Sequence, residues 1–170
     1  MEFRVLNYQD CEQVRLWRNN SLVALRTPFP LAEEQQETFY RTVVCDRNAR
    51  ARYWGIWVDD KFIGMCGIEN IEWENARAEI SLIIDPEKQQ KGYGEQALEL
   101  LLTEGFFRVH LVYIWGECYY CNPAKMFWEK MITKYDAETV IIPATKYWEG
   151  AQYPSLHFTF ESEKCGRLLY

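Results

Sequence analysis

The sequence predicts an α/β domain whose mixed sheet is mostly antiparallel. Three observations carry that reading. Apolar segments over 53–58, 62–71 and 78–84 are separated by short turn signals and make a meander. The last of them leads into a glycine-bearing loop, Gln89-Gln90-Lys91-Gly92-Tyr93-Gly94, which opens a helical pattern. After that helix the chain alternates strand, helix and a closing pair of strands.

Taken in order, a short first strand is expected over 3–6. Asp10 offers a helix cap, with Gln13 at capping-box spacing, and Val14 and Trp17 then share one helix face. Arg26-Thr27-Pro28-Phe29-Pro30 ends that helix, because two prolines resist its continuation. A second helix is expected over 31–44, with Phe39, Tyr40 and Val43 on its apolar side. Asp59-Asp60 and Trp73-Glu74-Asn75 supply the turns of the meander. The helix after the glycine loop is expected over 94–107, with Ala97, Leu98, Leu101 and Leu102 facing inward. The segment 111–117 has few polar residues, as a strand covered on both faces does. Asn122-Pro123 starts the next helix, since Asn is a favoured cap and Pro a favoured first residue. Ala124, Phe127, Trp128 and Met131 form its buried stripe. Strands over 139–147 and 156–160 close the sheet around Glu149-Gly150.

No repeat, low-complexity run or linker interrupts the 170 residues, so a single domain over 1–170 is expected. Aromatic residues are 16% of the chain, enough apolar surface to exclude a disordered chain. No apolar run reaches the ~18 residues of a membrane span. Met1-Glu2-Phe3-Arg4 lacks the basic and apolar regions of a signal peptide, so a cytoplasmic location is expected. A net charge of −6 disfavours a duplex nucleic acid partner and suits a cationic, amine-bearing substrate. The six cysteines are scattered and read as reduced, mostly buried thiols. Cys118 and Cys121 form a C-x-x-C, but a zinc site needs two further ligands and His110 and His157 are the only imidazoles. No metal site is expected.

The order strand, glycine turn, helix N-terminus makes a seat for phosphate. Glycine turns with φ > 0 and lets a ligand approach the backbone. The first amides of the helix lack internal partners, and the helix dipole adds positive charge there. Gly92-Tyr93-Gly94-Glu95-Gln96-Ala97 also fits the dinucleotide fingerprint, with Glu117 about twenty residues on. That fingerprint follows a first parallel strand, whereas here an antiparallel meander precedes it and too little chain remains for a doubly wound sheet. No Lys-Ser or Lys-Thr follows the glycines, which excludes a Walker loop.

Gln89, Gly92 and Gly94 fill the pattern Q/R-x-x-G-x-G/A. This resembles the acetyl-CoA loop of the Gcn5-related N-acetyltransferases, the GNAT superfamily. Trp17-Arg18-Asn19 resembles the "WRN" of the first helix in the branch of ribosomal-protein and polyamine acetyltransferases. Ile63-Gly64, Ala78-Glu79-Ile80 and the segment 122–131 resemble further family landmarks in the same order. The resemblance implies a seven-stranded mixed sheet with about four flanking helices, splayed between its fourth and fifth strands. It implies acetyl-CoA as cosubstrate and no metal. Backbone around Gln89, Gln90, Lys91, Gly92, Tyr93, Gly94 and Glu95 would hold the pyrophosphate. Ile83 and Ile84 would pair with pantetheine, and Asn122 and Lys125 would lie along the same ligand. Lys88, Lys91, Lys125 and Lys130 cluster near the two helix starts as a basic patch, or are ordinary solvated charges.

The implied reaction is direct attack of a neutral amine on a thioester. Deprotonating a lysine-like amine costs about 4–5 kcal/mol at neutral pH, so a carboxylate base is sought. Glu117, just before Asn122, matches the base of the ribosomal-protein branch; Glu79 on the preceding strand is the other candidate, as base or amine anchor. A chain of polar groups and water is the third route. The family's tyrosine acid is missing: the aligned position holds Trp128 or Glu129. Tyr119 or Tyr120 would substitute, or the thiolate leaves unassisted. Acceptor contacts are expected from Arg26 and Phe29, from Trp73 and from Trp148. The favoured acceptor is a small amine or amino sugar, with a protein N-terminus or lysine as alternative and an acyl-CoA-binding interaction module as the non-catalytic reading. A monomer or homodimer is expected.

Overall fold

A computed structural model describes residues 1–169. The strands are β1 (Glu2–Arg4), β2 (Arg52–Val58), β3 (Lys61–Glu72), β4 (Arg77–Ile84), β5 (Tyr113–Tyr119), β6 (Glu138–Trp148) and β7 (Ala151–Glu161). The helices are α1 (Tyr8–Asn19), α2 (Glu33–Phe39), α3 (Tyr93–Thr103), α4 (Lys125–Tyr135) and a short α5 (Ser162–Gly166). All seven strands join one mixed sheet in the order β1-β2-β3-β4-β5-β7-β6. Every pairing is antiparallel except β4 with β5. Among the described residues no helix is long and apolar enough to cross a membrane.

Two-residue periodicity along the strands sends alternate side chains to two different cores. On one face Cys66, Ile68, Ala78, Ile80, Ile114 and Phe158 pack under Leu98, Leu101 and Leu102 of α3 and Met131 of α4. On the other face Met65 packs with Leu6, Cys11 and Val14, and Trp17 and Phe39 lie against this cluster. The sheet is therefore the middle of three layers. The chain between α1 and α2 arches over the second face.

The β4–β5 pairing is short. It registers Arg77 with Tyr113, Ala78 with Ile114 and Glu79 with Trp115, and then stops. From Ile80 onward β4 pairs with β3 alone, and from Gly116 onward β5 pairs with β7 alone. The sheet opens into a cleft between its fourth and fifth strands, where the resemblance implied a splay. The parted stretch of β4 presents unpaired backbone groups to that cleft.

Several boundaries differ from expectation. Asn7 caps α1, not Asp10: its side chain accepts from the Asp10 amide at 3.0 Å, and Asp10 returns the bond to the Asn7 amide at 3.0 Å. The reciprocal pair satisfies two orphan donors at once and leaves Asp10 inside the first turn. α4 begins at Lys125, because the Asn122 side chain bonds the Ala124 amide and closes a separate turn first. α2 and α3 each run on as a π-helical turn, over Tyr40–Val44 and Glu104–Arg108. β5 starts two residues later than expected, at Tyr113, and β7 extends back to Ala151. The expected strand began at 156, whereas β7 runs through Pro154, which cannot donate to a ladder. The structure accommodates it opposite an irregularity of β6 between Ile142 and Lys146, where Ala144 takes φ 56°.

Candidate active site

The glycine loop follows β4 through a short 3-10 turn, Pro86–Lys88, capped by the Asp85 side chain. Gln89 reaches back from the loop, its Nε2 donating to the Ile84 carbonyl at 3.1 Å. Gln90 and Gly92 both take positive φ, 58° and 81°, and Gly92 caps α3. No heavy atom lies within 4 Å of where a Gly92 side chain would project. The loop thus offers open space to the unpaired amides at the start of α3. Gly94 serves packing instead, since a methyl there would lie 3.2 Å from the Phe127 ring. Ile83 and Ile84 end β4 at the mouth of the cleft, and Asn122 leaves β5 on its other side.

Of the four lysines considered from sequence as a basic patch, Lys91, Lys125 and Lys130 are engaged within the protein. Lys130 donates to Glu95 at 2.6 Å, and Lys134 also bonds Glu95 and thereby ties α3 to α4. Lys125 bonds Glu129 and stands 4.6 Å above the Tyr120 ring. Lys91 donates to the Glu87 carbonyl at 3.0 Å. Acidic partners on α3 and α4 take up the charges of Lys130 and Lys125, and the amides and dipole of α3 add positive character at the loop.

The two predicted carboxylates come together. Glu79 is the last residue of β4 in register with β5, opposite Trp115, and Glu117 lies two residues beyond on the same face. The Arg26 guanidinium bridges them, from Nη2 to Glu79 at 2.5 Å and from Nε to Glu117 at 3.2 Å. Burial works against the Arg26 charge, but its bonds to Glu79 and Glu117 outweigh this and hold it firmly protonated. Asn70 Nδ2 donates to the second Glu79 oxygen at 2.8 Å. The Tyr119 hydroxyl donates to Glu117 at 3.2 Å, and His157 Nε2 lies 3.3 Å from the other Glu117 oxygen. Ser155 Oγ is 3.0 Å from the same imidazole nitrogen. Burial, and then the charge of Glu117, push the Tyr119 hydroxyl above its usual value, so it keeps its proton at neutral pH.

A half-buried pair supports this floor. Tyr53 donates to Glu69, which stands directly across from Glu79 in the β3–β4 register. Burial raises the Glu69 carboxyl above the ordinary carboxylate range, and Glu79 adds to the effect. Lys146 is also buried, at 4% exposure. It donates to the Leu25 carbonyl and lies 4.8 Å from the Tyr119 ring centre and 5.9 Å from that of Trp148. Burial lowers the Lys146 ammonium below its usual value.

Among the predicted acceptor contacts, Arg26 bonds both carboxylates, and Trp148 lies beside Lys146, which bonds the residue next to Arg26. Phe29 sits on the overlying segment and is largely exposed. Trp73 is elsewhere: it closes the β3–β4 turn, with the Arg52 guanidinium 5.8 Å from its ring. Trp128 is a core residue, stacked on Phe158 at 4.8 Å. Asn70, His157 and Lys146 were not singled out for this site from sequence. A charged residue on a strand reads as solvent-facing, whereas Lys146 is buried and bonds the Leu25 carbonyl. Among the described residues no group of three or more His, Cys, Asp or Glu side chains is arranged to hold a metal ion.

A family model described as an acetyltransferase (GNAT) domain matches residues 1–127. A search of curated proteins finds no match to this chain. Solved structures similar to it include a mutant form of the spermidine/spermine N-acetyltransferase SpeG from Vibrio cholerae. That structure shares 16% identity at a TM-score of 0.82, covering 99% of this chain and 98% of its own. The dodecameric spermidine N-acetyltransferase of Vibrio cholerae shares 18% identity at a TM-score of 0.78, over 96% of this chain and 94% of its own. A probable acetyltransferase shares 17% identity at a TM-score of 0.71, over 95% and 93%. At these identities the likeness speaks for the fold.

Proposed function

This chain belongs to the GNAT acetyltransferase family and is an acyltransferase; from that premise we propose that residues 1–170 act as one catalytic domain moving acetyl from acetyl-CoA to a primary amine of a small cationic acceptor. The observation that carries the acceptor's chemistry is the bridge from Arg26 to Glu79 and Glu117. Two carboxylates, with side chains 7% and 12% exposed, converge at the start of the cleft on one cation. Such a position suits an amine-bearing group and repels anionic acceptors. The relatives named for spermidine add weight to a polyamine-like acceptor.

In this reading, acetyl-CoA lies along the cleft. The amides at Lys91, Gly92, Tyr93, Gly94 and Glu95 would hold its pyrophosphate, and the open edge of β4 at Ile83 and Ile84, with Asn122, would hold its pantetheine arm. The residues fit that ligand on two counts: the unfilled space beside Gly92 and the unpaired backbone edge beyond Glu79. The bound thioester supplies the electrophile. Glu117 takes the proton from the acceptor nitrogen, directly or through water, and His157 beside it offers that proton a way onward. Glu79, held by Asn70, anchors the positive charge of the acceptor. Tyr119 donates a proton toward the departing sulfur, the role left open when the family's tyrosine position held Trp128 or Glu129. Lys125, tied to Glu129, contributes at most a contact along the pantetheine arm.

A thiol-release assay with a panel of monoamines, diamines, polyamines, amino sugars and N-terminal peptides tests the reading. Release with the cationic amines, abolished by Glu117→Gln, is the expected result. Tight CoA binding with no release for any amine would overturn it.

A further inference from the structure

We infer that the Arg26 guanidinium is a stand-in for the acceptor: it fills the charged subsite between Glu79 and Glu117, and a second ammonium of the acceptor displaces it. The inference rests on the amine-acetylation reading of the site and adds a specificity-determining residue to it.

The geometry of Arg26 is that of a bound ligand on a tether. Its two bonded nitrogens touch carboxylates from two different strands, on opposite sides of the parting in the sheet. The side chain nevertheless remains 59% exposed, against 7% for Glu79 and 12% for Glu117. It can therefore swing outward without disturbing packing.

The backbone around it is held independently. Asn19 clasps the far end of the segment, with Leu31 N donating to Oδ1 at 2.8 Å and Nδ2 donating to the Leu31 carbonyl at 3.0 Å. Lys146 pins the Leu25 carbonyl, the residue next to Arg26. Displacing the guanidinium then moves a side chain and leaves the segment in place.

Charge determines what can replace it. The attacking nitrogen gives up its proton to Glu117 and is neutral when it attacks, so it cannot keep the guanidinium's charge in place through the reaction. Once Arg26 leaves, two shielded carboxylates would face one another without a cation, an unfavourable arrangement. An acceptor that carries a further ammonium restores the balance while its free amine reacts. A monoamine does not. Arg26 thereby selects for acceptors with at least two nitrogens, and its own charge weakens their binding by competition.

The test compares wild-type protein with Arg26→Met, using 1,4-diaminobutane and n-butylamine as probes. Calorimetric titration is expected to give diamine binding tightened about tenfold by the substitution, with butylamine, which brings a single ammonium, tightened by less. Diamine affinity that is unchanged or weaker in Arg26→Met, or diamine binding to neither protein, overturns displacement. A second measurement uses the wild-type chain and so does not depend on the variant folding. The Arg26 Nε–H resonance, bonded to Glu117, is expected to lose its protection from solvent exchange as diamine is added. Persistence of that protection at saturating diamine also overturns the inference. Binding is read here without turnover. A wild-type enzyme that takes up diamine by displacing Arg26 yet releases no thiol with any amine would sink the catalytic reading and leave the displacement standing.

Discussion

Gly92→Ala separates two roles that the glycine loop combines, a strained backbone and an open ligand seat. Gly92 has φ 81°, and a methyl placed there meets no heavy atom within 4 Å. No steric clash opposes the substitution, so its effect on the free protein is conformational. Left-handed backbone costs a non-glycine residue roughly 1–2 kcal/mol. The stiffer unfolded chain offsets about 0.4–1 kcal/mol of this. The net loss is about 0–1.6 kcal/mol, or at most about 6 °C in Tm for a chain of this size. Gly94→Ala is the control: its methyl lies 3.2 Å from Phe127, and the gain in helix propensity of roughly 1 kcal/mol opposes that crowding, so Tm should move little. Differential scanning calorimetry of both variants measures these values, and CoA titration supplies the second readout. Gly92→Ala should weaken CoA binding at least tenfold, because the methyl enters the space assigned to pyrophosphate. A Tm loss well beyond 8 °C would mean that the position is packed rather than open. Unchanged CoA affinity would remove the loop from the ligand site.

Three further outcomes are expected. Glu117→Gln should lower kcat about 10²–10³-fold with little change in acceptor KM, whereas Glu79→Gln should raise acceptor KM several-fold with kcat within about tenfold; steady-state kinetics with a diamine distinguishes them, and the reverse pattern would exchange their roles. Tyr119→Phe should lower kcat about tenfold or more and leave CoA affinity unchanged; full activity would show that the thiolate leaves unassisted. Glu69 is the pH-sensitive residue of the floor. Burial raises its carboxyl above the ordinary 4.5, so the folded state holds that proton more tightly than the unfolded chain. Its stabilising effect is fully present below the ordinary value and is lost as pH rises through the raised one. Glu69→Gln still accepts the Tyr53 hydroxyl and should melt higher than wild type near neutral pH, with the gap narrowing toward acid pH. Thermal melts across that window check it, and a gap that widens toward acid would refute the assignment.

Order and type of element were legible in the sequence because each depends on local periodicity and turn chemistry. The strand alternation of 53–84, the Asp59-Asp60 and Glu149-Gly150 turns and the amphipathic stripe of α3 all formed as expected. Landmarks such as Gln89, Gly92 and Trp17-Arg18-Asn19 pointed to the family, and Glu79 and Glu117 to the chemistry. Capping competition was less legible: Asn7 and Asp10 are both good caps, and only the reciprocal bond decides between them.

What the sequence determined by itself is therefore the sheet, the glycine loop and the pair of carboxylates, all readable from neighbours along the chain. The meeting of Arg26 with Glu79 and Glu117, the imidazole of His157 beside the proposed base and the inward turn of Lys146 were decided by tertiary structure alone. These contacts join residues far apart in sequence, and they exist because β4 and β5 part after Glu79 while β7 and the α1–α2 segment close around the opening. The same distance hid the fate of Lys130, whose charge is taken up by Glu95 on α3. Periodicity reports which face a residue occupies; which distant partner shares that face follows only from the packed fold.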